Sequence, residues 1–305
     1  MTAARWASWP LMTGPPVAPP PGADFLRGQG DVRLYTSIVG SGTRGVVWFV
    51  LGPEVPRQPP YPRLTAALHE AGFATAVLHP RGTGFSDGVR GDVDDYSLVL
   101  SDYRLFLEHL AGRFSEIFLL GHSAGAALAL EIAVAAPTPL AGLVLVNPAW
   151  KLTYAKGMGP TFGDYIGYAA NRIFRPAALT VDMNRSPSSV AFGPDREEGE
   201  AMQRDPLVVR YFSLRYLSAQ RTVMNRCPQN VAAVDAPLLL VQGAHDVLVD
   251  PASFDALLRA ARAADKHKLV APDGGHGSSA VETIVRQLMA WFTSHAAPSS
   301  LVRPV

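Results

Sequence analysis

Residues 116–136, EIFLLGHSAGAALALEIAVAA, set the architecture of this chain of 305 residues. Their apolar beginning is typical of a strand buried on both faces of a parallel sheet. The almost wholly apolar stretch from Ala126 onward predicts a helix that is buried against that sheet. Glycines 121 and 125 stand two positions either side of Ser123. This spacing predicts a sharp strand–turn–helix that holds the Ser123 hydroxyl on a strained, exposed turn.

The same alternation of strand and helix continues on both sides of this stretch. Further apolar runs typical of buried strands occur at Val46–Leu51, Ala74–His79, Gly142–Val146, Leu238–Gln242 and His267–Val270. Val32–Val39 alternates polar and apolar residues, as an antiparallel edge strand does. Helical patterns cover Pro62–Ala71, Tyr96–Ala111, Ser253–Ala264 and Ser279–Phe292. This order predicts an α/β protein with a doubly wound, mostly parallel sheet.

The alternation stops between Trp150 and Val234, in a stretch that is rich in aromatic residues. Most of these aromatic side chains should pack in the interior, but several should face a ligand pocket. Within it, the periodic segment Leu207–Leu217 predicts a helix whose start is capped by the residues before it. An insert between strands of such a sheet lies over the carboxyl ends of the strands, where ligands bind. We therefore expect an inserted helical lid at 150–231 and an α/β core at 25–149 and 232–297. We also expect two tails outside the core, a stiff, poorly packed Pro-rich tail at 1–24 and a C-terminal tail at 298–305.

Composition excludes several classes of protein. The chain has 27 Lys and Arg against 26 Asp and Glu, so its formal net charge of +1 gives no electrostatic reason to expect a nucleic-acid partner. The single cysteine, Cys227, can form neither an intramolecular disulfide nor a thiolate metal site alone. No apolar run approaches the roughly 20 residues of a membrane helix, and residues 1–21 lack the apolar region of a secretory signal. We expect a cytoplasmic protein without stable membrane insertion, cofactor or metal; its oligomeric state is not indicated.

A nucleophilic serine needs a base, and the base needs an acid that orients it. His276 lies in the glycine-rich stretch 273–277 after the last predicted strand, where it can reach the carboxyl edge of the sheet. His79, at the end of another strand, is a weaker rival. Asp246 follows the strand at Leu238–Gln242 within loop reach of His276, whereas Asp250 precedes a proline, as a helix N-cap does. We therefore assign Asp246 as the acid and His276 as the base.

The order Ser123, Asp246, His276 is the order of the α/β-hydrolase triad. On these residues, on HPRGTGFS at 79–86 and on DPL at 205–207, the chain resembles the α/β-hydrolase family from about Asp31 to Phe292. Within that family it is similar to the monoacylglycerol-lipase, lysophospholipase and serine-aminopeptidase-like group. The resemblance implies a serine hydrolase with a lid. Its small-molecule substrate would be a carboxylic ester or thioester with an apolar acyl group.

The chain departs from that family at the end of the third strand. Members of the family usually carry His-Gly-x there, and the N–H of x is half of the oxyanion hole. This chain has Leu51, Gly52, Pro53 and Glu54 instead, and proline has no N–H to donate. We expect Ala124 to supply one donor, and Gly52 or Glu54 to supply the second along a displaced loop. The competing interpretation is an incomplete hole at Pro53 and a slow enzyme.

Other functions remain open at this point. Acyl transfer and amide hydrolysis could use the same three residues, and a protein that binds a small apolar ligand without turnover has its only support in Pro53. Glycines 82, 84 and 88 do not have the spacing of a dinucleotide-binding loop. Asp92, Asp94 and Asp95 lack the pattern of an EF-hand. Neither group therefore indicates a cofactor or a cation.

Overall fold

The computed structural model describes residues 9–53, 60–153, 162–183 and 193–297. Its strands are β1 (Asp24–Arg27), β2 (Arg33–Val39), β3 (Val46–Val50), β4 (Ala74–Leu78), β5 (Ile117–His122), β6 (Gly142–Val146), β7 (Leu179–Asp182), β8 (Tyr211–Ser213), β9 (Leu238–Gly243) and β10 (Lys266–Ala271). Eight of them form one sheet in the order β1-β2-β4-β3-β5-β6-β9-β10, and β7 pairs with β8 separately. All pairs from β4 to β10 in that sheet are parallel, as the sequence predicted.

The helices are α1 (Pro62–Glu70), α2 (Ser97–Ala111), α3 (Ala124–Val134), α4 (Phe162–Phe174), α5 (Arg196–Arg204), α6 (Leu214–Asn225), α7 (Cys227–Val231), α8 (Pro251–Ala260), α9 (Ser279–Glu282) and α10 (Val285–His295). One face of the sheet packs against α2, α3, α7 and α8. The other face packs against α1, α9 and α10. The sheet is therefore doubly wound, as predicted. No helix in the described ranges is long and apolar enough to cross a membrane.

The apolar helix after Ser123 is buried, as its composition predicted. Leu128, Leu130 and Ile132 in α3 are each at most 2% exposed. Burial of each such side chain contributes about 1.5–3 kcal/mol to folding. The packing of α3 against β5 therefore holds the turn between them firmly in place.

The edge of the sheet differs from the prediction. The segment predicted as the edge strand is β2, which is antiparallel to both of its neighbours. The edge itself is β1, whose register pairs Asp24 with Thr36. Four residues are too few to show a period-2 pattern, so β1 could not be distinguished from the Pro-rich segment that precedes it.

Two helices also differ from their predicted bounds. The helix predicted over Leu207–Leu217 begins only at Leu214, where the Ser213 side chain accepts a hydrogen bond from the Tyr216 N–H at 3.1 Å. Residues 211–213 pair with β7 instead, because strand pairing outweighs a local helical period. The helix predicted over Ser279–Phe292 is split into α9 and α10, and the backbone at Ile284 leaves the helical region with φ −121°.

The N-terminal segment is packed against the protein where it is described, contrary to the expectation of a poorly packed tail. The Trp9 ring stacks on Tyr211 with ring centroids 4.2 Å apart, and the Trp9 N–H donates to Leu179 O at 3.0 Å. The Arg90 N–H donates to Met12 O at 2.8 Å. Prolines lack a donor but leave the neighbouring backbone free to pair. Residues 9–14 therefore contact both the insert and the core.

Candidate active site

Ser123 occupies a strained turn between β5 and α3. Its φ is +54° and its ψ −120°, a conformation that costs a residue with a Cβ about 1–3 kcal/mol. A Cβ at Gly121 would lie 2.6 Å from Gly125 O. A Cβ at Gly125 would overlap Val50 O. Strand and helix therefore approach too closely for any side chain at these two positions, which is the physical reason for the spacing in the sequence.

The structure brings together the three side chains that the sequence singled out. Ser123 Oγ lies 2.9 Å from His276 Nε2, and His276 Nδ1 lies 2.9 Å from Asp246 Oδ2. A carboxylate can only accept, so the imidazole donates from Nδ1 and accepts from the serine hydroxyl at Nε2. The three residues follow β5, β9 and β10, whose carboxyl ends meet at one edge of the parallel sheet.

Asp246 is buried and strongly hydrogen-bonded. Its side chain is 2% exposed, and Oδ1 accepts from the N–H groups of Leu248 at 2.7 Å and Val249 at 3.1 Å. Burial raises the pKa of this carboxyl, but the hydrogen bond and charge of His276 and the two N–H groups outweigh burial. The net effect is a pKa below the usual range. Asp246 is therefore ionised at neutral pH and can balance a positive charge on His276.

Asp250, the alternative acid, has other partners. Its Oδ1 accepts from the Ala252 N–H at 2.9 Å, which caps α8 as predicted. Its Oδ2 lies 2.7 Å from Lys151 Nζ. Both oxygens are therefore engaged away from His276.

His79, the alternative base, is an internal residue. Its side chain is fully buried, and its Nδ1 accepts from the Phe85 N–H at 3.0 Å. Burial, followed by the charge of Arg90, lowers the pKa of His79 to about 3. His79 is therefore neutral at physiological pH and supports the loop that follows β4.

Two residues that contact the His276 backbone were not predicted from the sequence. His122 Nε2 lies 2.5 Å from His276 O, and Asn147 Nδ2 donates to the same oxygen at 3.2 Å. Burial, together with the charge of His276, lowers the pKa of His122 to about 4, so this ring is neutral. Both residues stand at carboxyl ends of strands, and that position was the signal in the sequence that could have indicated them.

The insert also contacts the loop of His276. Asp195 accepts hydrogen bonds from the N–H groups of Gly277 at 2.8 Å and Ser279 at 3.0 Å. Glu198 Oε2 accepts from the N–H and the hydroxyl of Ser278, at 2.9 Å and 2.7 Å. Burial raises the pKa of Glu198, although the hydrogen bonds from Ser278 oppose that shift. Two carboxyl groups of the insert thus hold the three residues that follow His276.

The candidate oxyanion donors are placed in part. Ala124 is the first residue of α3, so its N–H has no acceptor four residues earlier in the helix. The end of β3 passes beside it, since a Cβ at Gly125 would lie 3.0 Å from the carbonyl carbon of Leu51. Beyond Leu51, Gly52 is half-buried and Pro53 is buried. Glu54 lies outside the described residues.

Of the three aspartates considered for a cation site, Asp92 and Asp94 contact Arg215, and Asp95 accepts from the Ser97 N–H at 2.8 Å. Asp92 forms an ion pair with Arg215 and accepts from the Ser213 hydroxyl at 2.5 Å. Asp94 lies 2.5 Å from the same guanidinium. These contacts tie the core to the insert. In the part of the chain that is described, no group of three or more His, Cys, Asp or Glu side chains is arranged to hold a metal ion.

The aromatic side chains of the insert were expected to line a pocket in part. Among those described, Phe212 and Tyr216 are buried in the core cluster. Phe174 is 81% exposed. Tyr168 is hydrogen-bonded through its hydroxyl to Ser218 Oγ at 2.6 Å. Packing therefore accounts for Phe212 and Tyr216, and a pocket role for the aromatic residues stays a prediction.

Comparison with known sequences identifies related proteins. Residues 59–280 match the model of the family described as serine aminopeptidase S33. Monoglyceride lipase of Mus musculus is 29% identical over 192 residues, which are 61% of this chain and 60% of that protein. Monoacylglycerol lipase of Mycolicibacterium smegmatis is 25% identical over 278 residues, covering 88% of this chain and 95% of that protein. The chain thus spans only about three fifths of the mouse relative but nearly all of the bacterial one.

Solved structures share the fold. The monoacylglycerol lipase of Paleococcus ferrophilus superposes with a TM-score of 0.69 at 23% identity, covering 86% of this chain and 99% of that one. A soluble variant of monoglyceride lipase from Saccharomyces cerevisiae, in complex with a substrate analog, superposes with a TM-score of 0.72 at 18% identity. That match covers 93% of this chain and 99% of the yeast chain.

Proposed function

The chain belongs to the serine aminopeptidase S33 family of α/β-hydrolases, and we propose that it hydrolyses carboxylic esters through Ser123, His276 and Asp246. The observation that carries the proposal is the unbroken hydrogen-bond chain from Ser123 Oγ through the imidazole to the Asp246 carboxylate, with both links at 2.9 Å. A hydroxyl, a base and a buried ionised acid in this arrangement are the components of nucleophilic acyl transfer.

In the proposed reaction, Ser123 Oγ attacks the ester carbonyl while its proton moves to His276 Nε2. The resulting imidazolium is stabilised by the ionised Asp246, and the developing oxyanion accepts a hydrogen bond from the Ala124 N–H at the positive end of α3. His276 then gives its proton to the departing alcohol, which leaves an acyl ester on Ser123. Water deprotonated by His276 attacks this ester, releases the carboxylic acid and restores the Ser123 hydroxyl.

The second oxyanion donor is proposed to be the N–H of Gly52 or Glu54. The end of β3 already lies against the start of α3, as the close approach of Leu51 to Gly125 indicates. Pro53 cannot donate, so the loop must present one of its neighbours instead. Two donors are the usual complement for a tetrahedral oxyanion, and the loss of one typically reduces kcat about 10²–10³-fold.

The substrate class that we propose is an ester or thioester with an apolar acyl group. Its support is the chemistry of the two relatives described above, which are a monoglyceride lipase and a monoacylglycerol lipase. We also propose that residues 150–231 act as a lid, because Asp195 and Glu198 of the insert lie directly beside the loop of His276. The divisions at 24, 149, 231 and 297 and the cytoplasmic location stay predictions.

A fluorophosphonate probe followed by peptide mapping tests the proposal. We expect covalent labelling of Ser123 in the folded protein, and no labelling in Ser123→Ala. Absence of labelling in folded wild-type protein would favour a protein that binds its ligand without turnover.

A panel of soluble esters with increasing acyl length provides the second test. We expect turnover of short-to-medium apolar acyl groups, and a loss of kcat by about 10⁴-fold or more in Ser123→Ala and in His276→Ala, since triad members act as a unit. Product analysis with added alcohol or amine then separates hydrolysis from acyl transfer, which share the acyl-enzyme. Activity confined to peptides with a free N-terminus would contradict the ester assignment.

A further inference from the structure

Asn147 stands between the two loops that carry the acid and the base. It directly follows β6, is fully buried, and has a φ of +43°. Its N–H donates to Val241 O at 2.9 Å, so its backbone is tied to the neighbouring strand β9. Few residues with a side chain tolerate this backbone region, and asparagine is one of them. A buried amide in a strained position requires hydrogen-bond partners to offset its desolvation.

The Asn147 carboxamide finds those partners in both loops. Its Oδ1 accepts from the N–H of Gly243 at 2.9 Å, three residues before Asp246. Its Nδ2 donates to Gly275 O at 2.9 Å and to His276 O at 3.2 Å. The group thus joins the end of β9 to the loop of His276. A carboxylate lacks the N–H groups and a hydroxyl is too short to span both sides, so the contacts are specific to an amide.

The carbonyl of His276 is held by a second neutral group. His122 Nε2 lies 2.5 Å from it, and His122 Nδ1 lies 2.9 Å from the Tyr61 hydroxyl. Because a carbonyl only accepts, Nε2 carries the hydrogen and the Tyr61 hydroxyl donates to Nδ1. Two donors on one carbonyl oxygen fix the orientation of the peptide group that bears the His276 side chain.

We propose that Asn147 is a positioning residue that sets the distances from the His276 imidazole to Ser123 and Asp246 at the same time. The proposal rests on the function proposed above for these three residues. Gly274, Gly275 and Gly277 give the loop little stiffness of its own. A displacement of about 1 Å at a catalytic group can cost about 10²-fold in rate. Asn147 touches no reacting atom, so its effect must appear in kcat rather than in KM.

The first test replaces Asn147 with glycine, which accepts the positive φ but has no side chain. In Asn147→Gly, we expect kcat on a short soluble ester to fall about 10–100-fold while KM changes less than threefold. The matched control is Asn230→Ala on α7, which removes an amide that donates to Glu131 Oε1 of α3 at 3.0 Å. We expect the control to lose some stability and to keep its kcat. An Asn147→Gly variant with kcat within twofold of wild type would overturn the proposal.

The second test is Asn147→Asp, which keeps the shape of the side chain and the oxygen that accepts from the Gly243 N–H. It replaces the Nδ2 group by an oxygen, which then faces the carbonyl oxygens of Gly275 and His276. We expect its kcat to be at least tenfold below wild type at pH 8. Burial raises the pKa of such a carboxyl, so protonation restores one donor. The ratio of variant to wild-type kcat should therefore rise as the pH falls. A ratio that is independent of pH would contradict a role through hydrogen-bond donation, even if Asn147→Gly fails to fold.

Proton NMR separates this inference from the proposed function. The Nδ1 proton shared by His276 and Asp246 should give a far-downfield resonance in wild-type protein, whether or not an ester is turned over. We expect that resonance to be lost or strongly shifted in Asn147→Gly and kept in Asn230→Ala. If it persists unchanged in Asn147→Gly, the positioning role is wrong. A wild-type protein that shows the resonance but neither turnover nor labelling instead contradicts the hydrolase proposal.

Discussion

The loop of His276 is held by the core on one side and by the insert on the other, and the two sides use different chemistry. The core presents buried neutral donors, Asn147 and His122, to the carbonyl groups of the loop. The insert presents the carboxyl groups of Asp195 and Glu198 to the N–H groups that follow His276. The core contacts come from strand ends within the sheet, whereas the insert contacts depend on where the insert lies.

This difference teaches that His276, the proposed base, is held by two parts of the fold that can respond independently. The donors on the core side are buried between packed strands and move only if the sheet does. Acceptors on the insert side are ionisable, and hydrogen bonds to charged groups are stronger than those between neutral groups. The position of His276 is thus coupled to the insert, and the coupling can be measured by altering one side at a time.

The largest effect should come from the acid in the core. In Asp246→Asn, the imidazole loses the carboxylate that fixes its tautomer and balances its charge, and we expect kcat to fall by about 10³–10⁴-fold. Asp250→Asn is the matched control, because Asp250 caps α8 and does not contact His276. Asparagine caps a helix about as well as aspartate, so this variant should lose only the ion pair with Lys151 and keep its kcat nearly unchanged. Steady-state kinetics and urea unfolding check both. Inactivation by Asp250→Asn alone would reverse the assignment.

Acid should destabilise the core through its buried histidines. The pKa values of His79 and His122 are lowered to about 3 and about 4 in the folded protein, against about 6.5 when unfolded. The unfolded state therefore binds more protons below pH 6.5, and stability falls as the pH falls. At pH 5 this linkage costs about 2 kcal/mol for each histidine.

Urea unfolding at pH 7 and pH 5 measures this linkage. In His79→Gln, the loss of stability between the two pH values should shrink by about 2 kcal/mol relative to wild type. If the free energy of unfolding of His79→Gln depends on pH as strongly as that of wild type, His79 is already protonated in the folded core at pH 5.

A smaller effect is expected from the insert. Asp195→Ala frees the N–H groups of Gly277 and Ser279, and we expect kcat on a small soluble ester to fall about tenfold, equivalent to about 1.4 kcal/mol. Glu200→Ala on α5, the helix that directly follows Asp195, is the control, since Glu200 pairs with Arg196 at the surface. If Asp195→Ala keeps full kcat, the hydrogen bonds of Asp195 do not contribute to the position of His276.

The smallest effect is expected at the loop after β3. Pro53→Ala restores an N–H to the chain, yet we expect kcat to stay unchanged, since in the proposed mechanism Gly52 or Glu54 supplies the second donor. The measurement is kcat at unchanged stability. A rise of tenfold or more would show that the missing N–H at Pro53 limits the enzyme.

Local patterns were sufficient for the framework of the protein. The alternation of apolar runs with helical segments predicted the doubly wound sheet, and glycines 121 and 125 predicted the turn at Ser123. Asp250 was recognisable as a cap from the proline that follows it. These inferences succeed because strand periodicity, helix capping and close backbone approach depend on residues that are neighbours in sequence.

The supports of His276 were beyond such patterns, because their partners are distant along the chain. Asn147 contacts residues 96 and 128 positions away, and Asp195 contacts Gly277 across 82 positions. The pairing of β8 with β7, which takes the place of the first part of a predicted helix, is likewise a contact between remote segments. The sequence contains the residue types and their order. The pairing of each buried donor with a carbonyl group is decided only when separate strands and the insert pack together. In the packed interior, a buried polar group without a hydrogen-bond partner destabilises the fold, because nothing offsets its desolvation.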